Sequence, residues 1–344
     1  MELLVLYFIA FTSGAVVTTA SLPLLQYTLG RFLTDLPGGL KKHTQAVPML
    51  GGCAIFAGTV AGLVLIRLIT NFPTGTLHSL RGILGAGSLI FALGLLDDLR
   101  KPKGLPIWLR LLVQAAACAT LVSYDVYIQL FASAWLNYAV TFLWLLALTN
   151  AFNLLDITDG LCISQALLCA TGLLLIALPG ELWYVNFAAA ALLGAGLAFA
   201  PHNFMQRKVF LGDSGSTFLG FFIAAISMGT QYSQTNPYGY VAPLFVTAVP
   251  LLDTAYVSAV RLLKGQNPLK GSPDHLALRL KNEKHFTNTR VLTAFAAAGV
   301  LGNLCAYAIV LCQPAHTAGA VLVSLLALGM VLLWLLQKLP TYKR

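Results

Sequence analysis

Apolar stretches of about the length of a membrane-spanning helix recur along this chain from one end to the other. A hydrocarbon core about 30 Å thick needs roughly 20 apolar residues of helix, so each stretch is a candidate span. The 344 residues are 58% hydrophobic and only 10% charged, whereas a soluble domain carries about 25% charged residues. The sequence therefore predicts an all-α integral membrane protein with a single polytopic membrane domain over residues 1–344.

The pattern predicts eleven transmembrane helices, with the N-terminus outside and the C-terminus cytoplasmic. Their approximate bounds are 3–27, 48–69, 81–96, 107–123, 134–152, 161–178, 183–200, 215–231, 240–262, 290–312 and 318–337. The predicted cytoplasmic loops cover about 28–47, 97–106, 153–160, 201–214 and 263–289. In this orientation all of the 21 Lys and Arg residues except Arg67 and Arg81 lie on the inner side, as the positive-inside rule predicts.

The net charge of +9 does not predict a nucleic-acid partner. The Lys and Arg residues stand in short clusters between apolar runs and form no domain-sized basic patch. Such clusters are typical of the cytoplasmic loops of membrane proteins. We therefore expect the lipid bilayer, and no nucleic acid, as a partner.

The twelve acidic residues are concentrated near the predicted inner face. Only Glu2, Asp125 and Glu181 fall on the outer side. A single carboxylate at a membrane edge could simply end a helix or balance a neighbouring base. Several together indicate a polar site, because ionisable groups at membrane depth are costly and usually face a cavity or a partner.

The first acidic motif is the pair Asp97-Asp98 at the inner end of the third span. Adjacent carboxylates repel each other, so one keeps its proton unless a cation or a base compensates. A hard divalent cation or a bound phosphate would suit this arrangement, and the alternative is the solvated start of a loop. The compensating bases could be Arg100, Lys101, Lys103 and Arg110.

The second motif places Asn150, Asn153, Asp156 and Asp159 three residues apart. If this segment is helical, the four side chains form one slowly rotating row on a single face. Amide and carboxylate oxygens in such a row predict a wall for a metal ion and a nucleotide. A helix N-cap would explain one such residue but not four in register.

The third motif is Gly212-Asp213-Ser214-Gly215-Ser216, where a Gly/Ser-rich turn opens the eighth span. Free backbone N–H groups at a helix start favour phosphate, and Asp213 could hold Mg²⁺ beside it. The simpler alternative is an ordinary N-cap at Asp213 or Ser214.

Two polar loops complete the set of candidate residues. The first cytoplasmic loop contains Lys41 and His43, and the last one contains His275 and Arg279. Either histidine alone could be an ordinary loop residue. Asp253 is predicted to lie well inside a span and to bond to a neighbouring helix.

From about residue 35 to residue 279, these motifs and their order resemble the polyprenyl-phosphate N-acetylhexosamine-1-phosphate transferases. The resemblance implies transfer of a sugar-1-phosphate from a UDP-sugar to a polyprenyl (undecaprenyl) phosphate, with polyprenyl-diphosphate-sugar and UMP as products. It implies Mg²⁺ as cofactor, with Mn²⁺ as a substitute, and an active site on the cytoplasmic face of a bacterial inner membrane. Such a reaction initiates a cell-envelope glycan, and a homodimer is compatible with the sequence.

The resemblance also implies roles for individual residues. Asp97 and Asp98 match the catalytic pair, Asp213 matches a magnesium ligand, and Asn153 matches an assisting asparagine. The remaining candidates are substrate-binding positions, namely Lys41, His43, Arg110 (where the family usually has Lys), Asn150, Asp156, Asp159, His275 and Arg279.

The chain departs from the family pattern in its last loop, where the usual His-x-His-His reads His275-Leu276-Ala277-Leu278. We expect His275 and Arg279, one helical turn apart, to hold the diphosphate instead. The pattern is closer to the N-acetylglucosamine branch than to a phospho-N-acetylmuramoyl-pentapeptide transferase, which stays an alternative. Two further alternatives are a secondary transporter with ion-coupling acids and a catalytically silent scaffold.

Overall fold

The computed structural model describes residues 3–35, 46–71, 75–179, 183–205, 208–228, 236–266 and 274–337. Most of this part of the chain is helical, as the apolar stretches predict. The α-helices are α1 (Leu3–Leu29), α2 (Gly51–Ile69), α3 (Thr76–Leu99), α4 (Ile107–Ser123), α5 (Ala134–Leu155), α6 (Leu161–Ala177), α7 (Trp183–Ala200), α8 (Gly212–Ile226), α9 (Ala242–Val246), α10 (Ala248–Leu263), α11 (Leu276–Lys284), α12 (Asn288–Leu311) and α13 (Thr317–Gln337). Shorter helical turns cover Pro201–Met205 (π), Pro237–Val241 (3₁₀) and Pro314–His316 (3₁₀).

The structure confirms a multi-pass helical membrane protein. Within the described ranges, six helices are long and apolar enough to cross a bilayer, namely α1, α2, α3, α5, α12 and α7 with its π turn. A seventh span results if α9 and α10 are counted together. All eleven predicted segments are helical over most of their length, but helix length and composition alone support six or seven spans rather than eleven.

The predicted span 240–262 is broken. Its two helices, α9 and α10, are bent by 66° at Thr247. Pro250 contributes to the break because it has no N–H to donate to the carbonyl of Val246. That carbonyl accepts the Cys169 thiol instead, at 3.3 Å, so the freed backbone oxygen keeps a partner.

A two-stranded antiparallel ladder departs from the purely helical expectation. It pairs β1 (Thr34–Asp35) with β2 (Val47–Pro48) inside the predicted loop 28–47. The Pro48 carbonyl accepts the N–H of Phe210 at 2.8 Å, and the Phe210 carbonyl accepts the N–H of Gly51 at 3.0 Å. The base of the first loop is therefore fixed against the segment that leads into α8.

Helix α8 lies at the centre of the bundle, in contact with α2, α3, α5, α6 and α7. Its residues from Phe218 to Ile226 are buried, whereas Asp213 and Thr217 in its first turns are not. A buried helix needs no lipid-facing surface of its own, so its 15 residues need not match the bilayer thickness. Helix α8 thus presents its N-terminal end, with Asp213, at one end of the bundle.

Candidate active site

The C-terminal end of α3 meets the N-terminal end of α8. Close approach depends on Gly94, where an added Cβ would lie 2.6 Å from both the Asp213 carbonyl oxygen and the Ser214 Cα. The next turn of α3 carries Asp97 and Asp98, and each is only 3% exposed. Two acidic motifs that are more than 100 residues apart in sequence are therefore in direct contact.

Asp98 caps α8 from outside that helix. Its two carboxylate oxygens accept the backbone N–H groups of Asp213 and Ser214, each at 2.9 Å. The residue at the N-cap position of α8, Leu211, offers no side-chain bond. The alternative of an ordinary N-cap at Asp213 or Ser214 is wrong, because Asp98 satisfies the N–H groups that such a cap would bind.

Asp97 faces the start of α4. Its carboxylate accepts a hydrogen bond from Nη2 of Arg110 at 2.6 Å and another from the backbone N–H of Leu105. Gly104, with φ +65°, makes the turn that aims this N–H at the carboxylate. Arg110, predicted as a substrate-binding residue, is therefore beside the acidic pair.

Asp213 is half-buried and shares its surroundings with Asn153. The Asn153 amide lies 3.4 Å from Oδ1 of Asp213 and donates to Oγ of Ser216 at 3.1 Å. The carboxyl groups of Asp97 and Asp213 are also close enough to interact electrostatically. The structure thus brings the predicted catalytic and metal-binding residues together at one place.

Lys101 belongs to this cluster, although sequence reasoning gave it no more weight than the neighbouring bases. Its Nζ lies 2.9 Å from Oδ1 of Asp98 and 3.4 Å from Oδ1 of Asp213. Desolvation alone would lower the pKa of Lys101, but Asp213 and Asp98 raise it above its ordinary value, so the amine stays charged. The only sequence signal was its position three residues after Asp98, where a continuing helical turn brings the two side chains together.

The second motif is not one continuous helical row. Helix α5 ends at Leu155, so Asp156 follows the helix and Asp159 lies in the turn before Gly160, whose φ is +83°. The helix therefore does not run through to Asp159. Desolvation and the nearby carboxylate of Asp213 hold the pKa of Asp156 well above its ordinary value.

Asn150 lies on the α5 surface and is exposed. Its amide donates to the Leu146 carbonyl at 2.7 Å, within its own helix. Of the four residues in the predicted row, the structure brings Asn153 and Asp156 to the acidic cluster. Lys41 and His43 lie outside the described residues.

The last loop holds its two predicted ligands in contacts with protein. Nδ1 of His275 lies 2.9 Å from Oδ2 of Asp253, and His275 is 1% exposed. Arg279 forms a two-pronged ion pair with Glu283, at 2.9 and 3.2 Å, and also contacts the Tyr256 hydroxyl. Asp253 bonds to a neighbouring helix, as expected, since it also accepts the N–H of Leu276 at the start of α11.

The cluster fits a hard divalent cation. In the described part of the chain, no three side chains of His, Cys, Asp or Glu converge as a complete ligand set. Asp97 and Asp213 do lie close enough to interact electrostatically. Mg²⁺ is commonly held by one or two carboxylates, with waters and substrate phosphates at its other positions, so this donor set suits it.

Residues 80–231 match the family model described as glycosyl transferase family 4. This range includes Asp97, Asp98, Arg110, Asn153 and Asp213, the residues that converge at the end of α8.

Several known proteins align with most of the chain. It is 29% identical over 255 residues to a probable undecaprenyl-phosphate N-acetylglucosaminyl 1-phosphate transferase of Bacillus subtilis (strain 168), covering 72% of this chain and 69% of the relative. It is 29% identical over 323 residues to the decaprenyl-phosphate N-acetylglucosaminephosphotransferase of Mycobacterium tuberculosis (strain ATCC 25618 / H37Rv), covering 85% and 79%.

A third relative is the undecaprenyl-phosphate alpha-N-acetylglucosaminyl 1-phosphate transferase of Escherichia coli (strain K12). It is 28% identical over 305 residues, which cover 80% of this chain and 77% of the relative. The family match over the carboxylate cluster and the long alignments to these relatives lead to one conclusion. The chain is similar to glycosyl transferase family 4 over residues 80–231 and to N-acetylglucosamine-1-phosphate transferases over most of its length.

Proposed function

We propose that this protein transfers N-acetylglucosamine-1-phosphate from UDP-N-acetylglucosamine to a polyprenyl phosphate. The products are polyprenyl-diphosphate-N-acetylglucosamine and UMP. The observation that carries the proposal is the meeting of Asp97, Asp213 and Asn153 with Lys101 and Arg110 at one end of a membrane bundle. The relatives named for N-acetylglucosamine-1-phosphate transfer favour this donor over a muramoyl-pentapeptide nucleotide.

Together with a bound cation, the charges of the site would suit a reaction between two phosphate esters. Among the described residues, Asp97, Asp98, Asp156 and Asp213 lie close to the two bases Lys101 and Arg110. Phosphoryl transfer needs the charge of both substrates neutralised and the nucleophile placed in line. A phosphate monoester is largely ionised at neutral pH, so positioning matters more than a general base.

The proposed step exchanges one phosphoanhydride for another. A phosphate oxygen of the polyprenyl phosphate forms a bond to the β-phosphorus of the UDP-sugar, and the bond from that phosphorus to the bridging oxygen breaks. The electron pair leaves with UMP. Lys101 and Arg110 are placed to hold phosphate oxygens, while Asn153 orients Asp213 through their shared contact.

Asp213 and Asp97 would hold Mg²⁺, and Mn²⁺ offers the same preference for oxygen ligands. When bound, the cation supplies positive charge to the diphosphate oxygens. The predicted catalytic role of Asp98 stays a prediction. Its bonds to the α8 backbone add a positioning role, because they fix the helix turn that carries Asp213.

The test is an assay of the purified protein with radiolabelled UDP-N-acetylglucosamine, undecaprenyl phosphate and Mg²⁺. We expect label in the lipid product and one UMP released per transfer. A parallel reaction with UDP-N-acetylmuramoyl-pentapeptide tests the other donor. If neither donor labels the lipid, the proposal fails, and the transporter or scaffold interpretation takes its place.

We further propose that the site faces the cytoplasm of a bacterial inner membrane, with eleven spans and the N-terminus outside. The uneven distribution of Lys and Arg supports this orientation. In cells, on a chain without its six cysteines, Lys103→Cys should react only with membrane-permeant thiol reagents. Tyr238→Cys, which replaces a side chain that is 49% exposed, should react with impermeant reagents from outside. Labelling of position 103 by impermeant reagents would show that the proposed orientation is wrong.

The predicted diphosphate contact of Arg279 is testable by kinetics. If Arg279 exchanges Glu283 for a substrate phosphate, Arg279→Ala should raise KM for the UDP-sugar or lower kcat. The corresponding free-energy change should be about 1–3 kcal/mol, as for a charged hydrogen bond. Lys284→Ala, at an exposed position of the same helix, is the matched control. If Arg279→Ala has wild-type kinetics but a lower melting temperature, Arg279 has only a structural role, through its contacts with Glu283 and Tyr256.

A further inference from the structure

The loop between α5 and α6, residues 156–160, is held from outside by three segments of the chain. The Lys281 ammonium on α11 donates to Oγ1 of Thr158 at 3.2 Å. Asn288 at the start of α12 donates to the Asp159 carbonyl at 3.1 Å, and Asn203 accepts the N–H of Gly160 at 2.9 Å. Thr158 is buried, so the Lys281 contact lies beneath the loop surface rather than in free solvent.

Helix α11 is itself anchored at its start. Asp253 on α10 accepts the Leu276 N–H at 3.1 Å and pairs with His275 in a contact from which water is excluded. Both side chains of this pair are buried, and a buried polar group that loses its partner is unfavourable, so α11 cannot easily shift along α10. The position of Lys281, further along the same helix, is therefore set by α10.

The acidic residues of the loop explain how the Lys281 contact could affect the site. Asp156 and Asp159 flank Thr158, and Asp156 also lies close to the carboxylate of Asp213. When both are ionised, these carboxylates repel each other, and the repulsion favours an open loop. The Lys281 ammonium, bonded to Thr158 between the two acidic residues, offsets that repulsion and ties the loop to α11.

We propose that Lys281 is a positioning residue for the sugar-nucleotide donor, acting through Thr158 on the loop that carries Asp156 and Asp159. This inference rests on the proposed function. The last loop then contributes to donor binding through the Lys281 ammonium, which lies beneath the 156–160 loop. In this chain the last-loop motif has a single histidine, His275, at positions 275–278.

The test compares Lys281→Met, which keeps the aliphatic stem, with Lys281→Arg, which keeps a charged donor. Thr158→Val removes the acceptor, and Lys284→Met is the control at an exposed position of α11. Lys281→Met and Thr158→Val should each raise KM for UDP-N-acetylglucosamine about tenfold, as expected for a lost bond to a charged group. The double variant should lose less than the sum of the two single losses, because both changes remove the Lys281–Thr158 contact.

KM for undecaprenyl phosphate should stay at the wild-type value, and Lys281→Arg should restore most of the donor affinity. Hydrogen exchange of the 156–160 amides should speed up in Lys281→Met but not in Lys284→Met, a readout that needs no turnover. Equal effects of Lys281→Met and Lys284→Met, or a rise in KM for the lipid alone, would overturn the inference in favour of contacts with anionic lipid. A wild-type protein without transfer activity would overturn the proposed function, whatever the exchange rates show.

Discussion

Replacing Asp213 with Asn should abolish sugar-phosphate transfer while the protein still folds. The Asn side chain has nearly the same shape and can still accept from Lys101 and Asn153, which both lie 3.4 Å from Oδ1. It removes one negative charge from a site that we propose for a hard cation. A bound cation contributes several kcal/mol of charge stabilisation, so the loss in kcat/KM should be about 10³-fold or more.

The measurement is steady-state kinetics with Mg²⁺ titrated from limiting to saturating concentration. A second readout is the melting temperature with and without Mg²⁺ and donor, which should rise for wild type and stay constant for Asp213→Asn. Asp125→Asn is a matched control, since Asp125 is an exposed acid paired only loosely with His78, at 3.6 Å. Near-normal transfer by Asp213→Asn at limiting Mg²⁺ would remove Asp213 from the metal site.

Helix positions were predictable from sequence because the hydrophobic pattern is local. The predicted segment 107–123 coincides with α4, and segment 161–178 differs from α6 by one residue. The predicted helix boundaries were wrong where a proline contributes to a break in an apolar run, as Pro250 does in the predicted segment 240–262. The number of spans depends on depth in a bilayer, which length and hydropathy alone do not determine.

The candidate site was predictable as a set of residues but not as a set of contacts. Acidic side chains near one membrane face are unusual enough to mark Asp97, Asp98 and Asp213. Their partners could not be read from sequence, because Asp98 bonds to backbone groups more than 100 residues away. In the sequence, Lys101 looks like the neighbouring bases. Only the conformation of the turn after α3 brings its ammonium to the acidic cluster.

Sequence position also did not distinguish residues that bind substrate from residues that pair with other side chains of the protein. His275 and Arg279 stand one helical turn apart, as the prediction required, but their acidic partners are Asp253 and Glu283. Asp253 and Glu283 lie 22 residues before His275 and four residues after Arg279, and neither was expected to pair with them. Burial, which is a property of the packed chain, decides whether such side chains can reach a substrate.

Asp98→Asn should destabilise the protein more than Asp97→Asn does, although both aspartates are equally buried. In Asp98→Asn the amide group can accept one of the two α8 N–H groups but turns its own NH₂ toward the other. A buried N–H without an acceptor costs about 1–3 kcal/mol, and Lys101 loses its closest anionic partner as well. In Asp97→Asn the side-chain oxygen can still accept the Leu105 N–H, and the Arg110 side chain is 36% exposed, so water screens its charge.

The melting temperature in one detergent measures this difference, and transfer rates are measured on the same samples. Asp98→Asn should melt lower and lose activity, because the turn that carries Asp213 is no longer held. Adding Lys101→Met to Asp98→Asn should recover part of the stability, since Met fills a similar volume without an unpaired charge. Recovered stability without recovered transfer would show that transfer needs the charge of Asp98 or Lys101 beyond its contribution to folding. If instead Asp98→Asn melts like wild type yet is inactive, the α8 cap is dispensable for folding, and Asp98 acts directly in the chemistry.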